Sequence, residues 1–185
     1  MVLLDSPICE FGWQAPDFVL KDAYGDSYSM WGAMGERGLL IAFICNHCPY
    51  VKAIAKPFSE DAKKLSDEGV NVLAVMSNDF NSYPEDSPNN MLRFAAQHKF
   101  SFPYLVDPDQ AVAKQYHAVC TPDFFGLNNK GELQYRGRLD NLSMHERNRS
   151  DRIPELLNAM RQVAQTAKGP EQQIASMGCS IKWRV

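Results

Sequence analysis

The chain has 185 residues, 45% of them hydrophobic and 22% charged, with a formal net charge of -3. That composition fits one soluble globular domain with a sizeable core, which needs neither a disulfide nor a metal to stay folded. It lacks the basic footprint of a nucleic-acid binder, and no run reaches the ~18 apolar residues that a membrane helix requires.

The first eleven residues have no basic segment and no long apolar stretch; Asp5, Pro7 and Glu10 interrupt them, so a cytoplasmic location is expected. Residues 18–20 predict a short strand and residues 22–28 a turn with Gly25 at its tip. Residues 39–44 form a continuous apolar run of strand length, which predicts a strand buried on both faces. Residues 49–66 place Val51, Ile54, Ala55, Phe58, Ala62 and Leu65 on one helical stripe, with Gly69 as the stop. Lys52, Lys56, Lys63 and Lys64 are read as the solvated face of that helix. Residues 70–76 predict a second buried strand, and residues 77–90 a long polar loop. Ser87 and Pro88 then open a helix over 89–98. A short strand at 104–106 and a short helix over 107–116 follow. A strand at 123–127 is turned back by Asn129-Lys130-Gly131 into 132–136, a hairpin. Ser150 or Asp151 caps a last helix over 152–167, and residues 168–185 show no strong periodicity.

Strands separated by helices imply a parallel sheet with helices on both faces, and the closing hairpin makes that sheet mixed. The expected fold is α/β in a single domain over 1–185, with a core of about 14–167 and a C-terminal tail over 168–185.

The five cysteines are Cys9, Cys45, Cys48, Cys120 and Cys179, an odd count at irregular spacing that does not suit a secreted disulfide framework. In a reducing compartment a Cys-x-x-Cys pair is catalytic or metal-binding rather than structural. Cys45 ends the buried strand, and Cys48 and Pro49 begin the helix. The partial positive charge and unpaired N–H groups of a helix N-terminus favour a thiolate, so a lowered pKa is expected for Cys45. Cys48, three residues on, can reach Cys45 and resolve a mixed disulfide. Pro49 suits the first helical turn because its missing N–H would have no partner there. His47, between the cysteines, either stabilises the thiolate and makes the disulfide more oxidising or is a turn histidine with little influence. Asn46, His47 and Pro49 are thus the residues expected to modulate the pair.

A second signature, "VCTPDFF", places Thr121-Pro122 just before the hairpin strand. Together with the pair at Cys45 it resembles the thioredoxin-like superfamily over almost the whole chain. The resemblance implies a central mixed sheet flanked by helices and a cis peptide bond at Thr121-Pro122 facing the cysteines. It also implies a Thr121 backbone left open to an extended substrate. "APDFVLKDAYGD" is similar to the opening of the peroxiredoxin and thiol-reductase branch, which adds an N-terminal β-hairpin. "CNHCPYV", "SNDFNSYPEDSP", "VCTPDFF", "YRGRLDN" and "GCSIKW" resemble bacterial peroxiredoxin-like redoxins of the AhpC/TSA type. Peroxiredoxins carry Pro-x-x-x-Thr/Ser-x-x-Cys, whereas Gly38 and Ala42 occupy those positions here. Neither Arg136 nor Arg138 is marked as the arginine that completes a peroxide site.

The resemblance implies a thiol–disulfide oxidoreductase in which Cys45 attacks, Cys48 resolves, and Thr121 and Pro122 hold the substrate. The substrate is expected to be a disulfide-containing protein or a small-molecule thiol, and thioredoxin or a similar dithiol donor would recycle the pair. No cofactor and no metal are expected: zinc commonly needs two close ligand pairs, and only one is present. A peroxiredoxin-type peroxidase and a non-catalytic redox or metal sensor are the alternatives. Cys120 is a possible accessory thiol or a small buried hydrophobe. Asp79 is a possible proton acceptor for Cys48 or a loop-ordering aspartate. Cys179 either folds back to the site, pairs with another chain or stays a lone tail thiol, and Cys9 has no supporting context.

Overall fold

The computed structural model describes residues 2–184. Strand β1 (Leu3–Asp5) is followed by a hairpin of β2 (Val19–Asp22) and β3 (Ser27–Ser29), then a one-turn helix α1 (Met30–Ala33). Next come β4 (Gly38–Phe43), the long helix α2 (Pro49–Asp67) and β5 (Val70–Met76). A 3-10 turn (Pro84–Asp86) leads into α3 (Pro88–Gln97), β6 (Tyr104–Val106), α4 (Ala111–Gln115) and the two-residue strand β7 (Cys120–Thr121). Strands β8 (Asp123–Leu127) and β9 (Leu133–Tyr135), helix α5 (Glu155–Thr166) and strand β10 (Met177–Ser180) complete the order.

Seven strands form one sheet in the order β3-β2-β6-β5-β4-β8-β9. The β4–β5 and β5–β6 pairs are parallel, whereas β2, β8 and β9 run antiparallel to their neighbours, so the sheet is mixed. Every residue of β4 is buried, because both faces of this central strand are covered. Leu40 and Ala42 pack with residues of α2, α3 and α5, while Leu39, Ile41 and Phe43 join Phe18, Tyr116 and Phe125 in a second cluster. Two covered faces leave no position for a polar side chain, which is why the run reads as unbroken. Helix α5 starts at Glu155 rather than 152, with Pro154 at its N-cap and no side-chain cap. A residue before proline is kept out of helical geometry, so Ile153 cannot continue the helix backwards, and Ser150 and Asp151 lie outside it.

The tail, which shows no periodicity in sequence, contributes the middle strand of a second sheet ordered β1-β10-β7. Cys179 stands opposite both Leu3 and Thr121, and Ser180 stands opposite Cys120. Side-chain hydrogen bonds fasten this strand beyond its own ladder. The Ser176 hydroxyl donates to the Pro122 carbonyl at 2.7 Å, and the Lys182 N–H donates to Asn78 Oδ1 at 2.8 Å. Gln110 donates to the Lys182 carbonyl at 2.8 Å and accepts from the Arg184 N–H at 2.7 Å. Among the described residues, no helix is long and apolar enough to cross a membrane.

Gly178 is where β10 comes closest to β7: a Cβ there would collide with the Thr121 carbonyl oxygen and its carbon. Overpacking of this kind costs about 1–3 kcal/mol, or roughly 5- to 150-fold in a local opening equilibrium. Gly178→Ala is therefore expected to raise the alkylation rate of buried Cys179 by that factor while circular dichroism stays native. An unchanged rate would show that β10 does not depend on this close approach.

Candidate active site

Helix α2 begins at Pro49, with Cys48 as its N-cap residue in extended geometry. The Cys45–Cys48 turn therefore sits between the end of β4 and the positive mouth of a 19-residue helix. Across from it lies Thr121 of β7, whose peptide bond to Pro122 is cis. The Thr121 hydroxyl is 3.4 Å from the Cys45 sulfur, and the Thr121 carbonyl oxygen is 3.2 Å from the Cys48 sulfur. Beyond Cys48, at 2.8 Å, lies the sulfur of Cys179. Cys45, Cys48 and Cys179 are each at most 1% exposed, and among the described residues no cysteine is in a disulfide.

The turn is held by a residue outside the motif. Asp86, fully buried at the end of the 3-10 turn, accepts the N–H of Asn46 at 2.8 Å and that of His47 at 3.3 Å on one oxygen. Its other oxygen pairs with His47 Nδ1 at 2.7 Å and accepts from Asn78 Nδ2 at 2.8 Å. Asn46 completes the lock, donating to the Glu85 carbonyl at 3.0 Å and accepting from the Tyr104 hydroxyl at 3.1 Å. His47 stacks on Tyr83 with ring centroids 5.6 Å apart. Asn46, His47 and Pro49 thus position the pair: the first two bind Asp86, and Pro49 opens the helix.

The two thiols shift each other's ionisation in opposite directions. The Cys45 thiol, donating to Cys48, pulls the Cys48 pKa down to about 5 against the effect of burial. The Cys179 thiol and the backbone N–H groups of Val51 and Cys179 act in the same direction. The interaction with Cys48, with burial and the Asp86 charge, holds Cys45 up, while the Thr121 hydroxyl works the other way. A lowered pKa at Cys45 itself is therefore not what the structure gives: the downward shift falls on Cys48 and the upward one on Cys45. Burial and then the Cys48 charge push Cys179 up to about 12.

Other expected residues fall elsewhere. The Thr121 backbone is not left open to a substrate strand, because β10 of the same chain pairs with it. Asp79 is not placed against Cys48: its carboxylate accepts from the Ser82 hydroxyl at 2.6 Å and the Asn81 N–H, and it pairs with Arg184 at 3.6 Å. It orders its own loop, and the buried acid near the cysteines is Asp86. Cys120 places its sulfur 3.6 Å from the Pro122 carbonyl, and burial raises its pKa. Cys9 is half-buried, with burial pushing it up to about 11. Arg136 is engaged with Asp123 at 3.0 Å, and Arg138 with Glu155 at 2.7 Å. Cys45, His47 and Asp86 could each offer one ligand atom to a metal, all within 4.8 Å of one another. A metal there would have to break the His47–Asp86 pair. Beside Pro122 opens a cleft of about 450 Å³ whose lining includes Tyr50, Ile54, Leu142, Ile174 and Met177.

Asp86 carries no role in the sequence reading, and of the alternatives left open for Cys179 the structure gives the one in which it folds back to the pair. The only hint for Asp86 was an aspartate beside Pro84 and before Ser87-Pro88 in a loop that otherwise reads as solvated. Its hydrogen bond to His47 raises the His47 pKa above the ordinary 6.5. Burial pushes Asp86 up, but the His47, Asn78 and Asn46 donors outweigh it and hold the carboxyl below the ordinary 3.8. The ion pair's stabilisation is thus full below 6.5 and is lost as pH rises through the raised His47 value. On the acid side it is present above 3.8 and is lost as pH falls through the depressed Asp86 value. Asp86→Asn is expected to return His47 toward its ordinary pKa in an NMR titration. The stability gap to wild type should narrow above the raised value. An unmoved His47 titration would refute the pairing.

The AhpC/TSA family model matches residues 11–136, which include the cysteine pair, Asp86 and Thr121-Pro122 but not β10. The Thioredoxin-like protein YneN of Bacillus subtilis (strain 168) is 31% identical over 126 residues, spanning 66% of this chain and 68% of that protein. The crystal structure of an uncharacterized conserved protein from Geobacillus kaustophilus is 36% identical, with a TM-score of 0.91 over 100% of this chain and 97% of that one. A hypothetical protein from Sinorhizobium meliloti 1021 is 34% identical, with a TM-score of 0.91 over 98% of both chains. On the matched segment and the mixed sheet that carries the pair, the chain has a thioredoxin-like fold and belongs to the AhpC/TSA family.

Proposed function

We propose that this thioredoxin-like redox protein is a thiol–disulfide oxidoreductase whose working pair is Cys45 and Cys48. The observation that carries the reading is geometric: two cysteine sulfurs at the mouth of α2, both in contact with Thr121, whose bond to Pro122 is cis. Thiolate, not thiol, is the attacking species, and a thiol that titrates below neutrality supplies it. Cys48 is enclosed by the Thr121 carbonyl and Cys179, so Cys45 is the sulfur left to meet a substrate. As Cys45 attacks one sulfur of a substrate disulfide, its proton passes to Cys48, and the other substrate sulfur leaves as thiolate. Cys48 then gives up that proton to the solvent or the leaving thiolate and attacks Cys45. The second substrate thiol is released and Cys45–Cys48 is oxidised. A dithiol donor of the thioredoxin kind returns the pair to the reduced state, and a cytoplasmic setting would supply one. Contact of a substrate with Thr121 and Pro122 requires β10 to lift, or else a substrate small enough to enter from the cleft beside Pro122.

Burial of the sulfurs favours a second reading, a thiol peroxidase, because a peroxide is smaller than any disulfide. Against it stand Ala42 and Gly38 in place of the hydroxyl and proline of the peroxiredoxin pattern. The two nearby arginines are also held by carboxylates.

Cys45→Ser is expected to reduce insulin-disulfide reduction by roughly two orders of magnitude or more. Cys48→Ser should accumulate a mixed disulfide with substrate. Full activity in Cys45→Ser would end the oxidoreductase reading. Stopped-flow mixing with hydrogen peroxide decides between the two enzymes: rates of an ordinary thiol keep the first, and fast saturable turnover selects the second.

A further inference from the structure

We propose that Cys179 is a third redox thiol of this site, and that the oxidised chain rests with a Cys48–Cys179 disulfide while Cys45 returns to the thiol. The proposal deepens the oxidoreductase reading and rests on three observations. The two sulfurs are 2.8 Å apart although the residues are 131 positions apart in sequence. A disulfide needs ~2.05 Å, so a small side-chain movement closes the bond.

The second observation is register. In the β10–β7 ladder Cys179 is the partner of Thr121, and Ser180 is the partner of Cys120. Paired residues of a ladder project to the same face. Thr121 points its hydroxyl at Cys45, so Cys179 is delivered to the face that holds the pair. Cys120, one position along, is delivered to the other face, where its sulfur lies 3.6 Å from the Pro122 carbonyl. Cys120 behaves as a small buried hydrophobe. Cys179, equally buried in the adjoining strand, lies on a sulfur.

The third observation is that β10 occupies the place an extended substrate would take along Thr121. A strand bearing a cysteine is already docked antiparallel to β7. It is fixed at one end by Ser176 on Pro122 and at the other by Asn78 and Gln110 on Lys182. The cysteine of a docked strand is where a substrate sulfur would be, so the chain carries an internal exchange partner.

The step is an isomerisation. Starting from Cys45–Cys48, the Cys179 thiol loses its proton as its sulfur attacks Cys48. The Cys48–Cys179 bond forms, the Cys45–Cys48 bond breaks, and Cys45 leaves as thiolate and takes up that proton. No electrons enter or leave; the oxidising equivalents come from the substrate disulfide already reduced. The result regenerates the Cys45 thiol and ties β10 covalently to the start of α2.

Disulfide mapping tests this. The full chain is reduced, treated with oxidised glutathione, acid-quenched, alkylated with iodoacetamide, digested and read by mass spectrometry. The expected dominant product joins the Cys48 and Cys179 peptides, with Cys45 alkylated. Cys179→Ser should give a Cys45–Cys48 bridge instead, and Cys45→Ser should still give Cys48–Cys179. Wild-type protein showing a Cys45–Cys48 bridge with Cys179 alkylated would overturn the proposal and leave the dithiol reading standing. Absence of any bridge would overturn both. The wild-type measurement decides even if a variant fails to fold.

Discussion

The carboxylate of Asp86 accepts four hydrogen bonds in a fully buried position, and both halves of the site hang from it. Two of the donors are the backbone N–H groups that shape the turn between Cys45 and Cys48. The third is the His47 ring, and the fourth is Asn78, whose own oxygen accepts the N–H of Lys182 beyond β10. One acid therefore sets the position of the cysteine turn and, through a single side chain, that of the strand carrying Cys179. A buried charge whose partners are removed costs about 3–5 kcal/mol. The same low dielectric that makes Asp86 dependent on its donors makes them hold one geometry. The charge also opposes ionisation of Cys45.

That geometry has a consequence for access. An incoming strand would reach the sulfurs along Thr121, and the chain's own strand β10 already lies there. The β10–β7 ladder is only two residue pairs long. A three-pair ladder with β1, backbone bonds from Ile181 N–H to the Val119 carbonyl and from Asp79 N–H to the Lys182 carbonyl, and the side chains of Ser176, Asn78 and Gln110 add to the holding. Lifting β10 out of its sheet breaks these together and is a sub-global opening. An extended segment from outside could pair with Thr121 only after that opening.

What could be read from sequence follows the same logic. The strands at the centre of the sheet were legible because covering both faces of β4 and β5 removes every polar alternative, and α2 because its stripe repeats over several turns. Cys45, Cys48 and Pro49 were legible because a strand end, a turn and a helix start leave local marks. Asp86 was not, since its burial is produced by a 3-10 turn folding back over residues 40 positions earlier; composition alone makes that loop look solvated. Cys179 was weighed as a thiol that folds back, but nothing local decided it. A four-residue strand whose partners lie at residues 3–5 and 120–121 has no periodicity to display. The lowered pKa expected at Cys45 went astray for a related reason: helix polarity can be read from sequence, but the direction in which a thiol shifts depends on neighbours that arrive from β7 and β10. Helix α5 started late because Pro154 dictates its first turn.

The departures from the peroxiredoxin pattern now have a structural account. Ala42 lies inside β4, opposite Ala74 and Phe124, with no exposure. A hydroxyl there would point into the packing against the helices, three residues before the sulfur at ~3.3 Å of rise per residue. The hydroxyl that approaches Cys45 comes instead from Thr121, on the strand that also brings β10 and its thiol. Arg136 is stacked 4.3 Å from the Phe125 ring centre and paired with Asp123, so its charge serves the sheet rather than an oxyanion at Cys45. Polarising an O–O bond needs donors converging on one sulfur. What converges here is a second and a third sulfur. The peroxide donors of the peroxiredoxin pattern are thus absent from this site, and a strand from outside the matched AhpC/TSA segment brings a thiol to it instead.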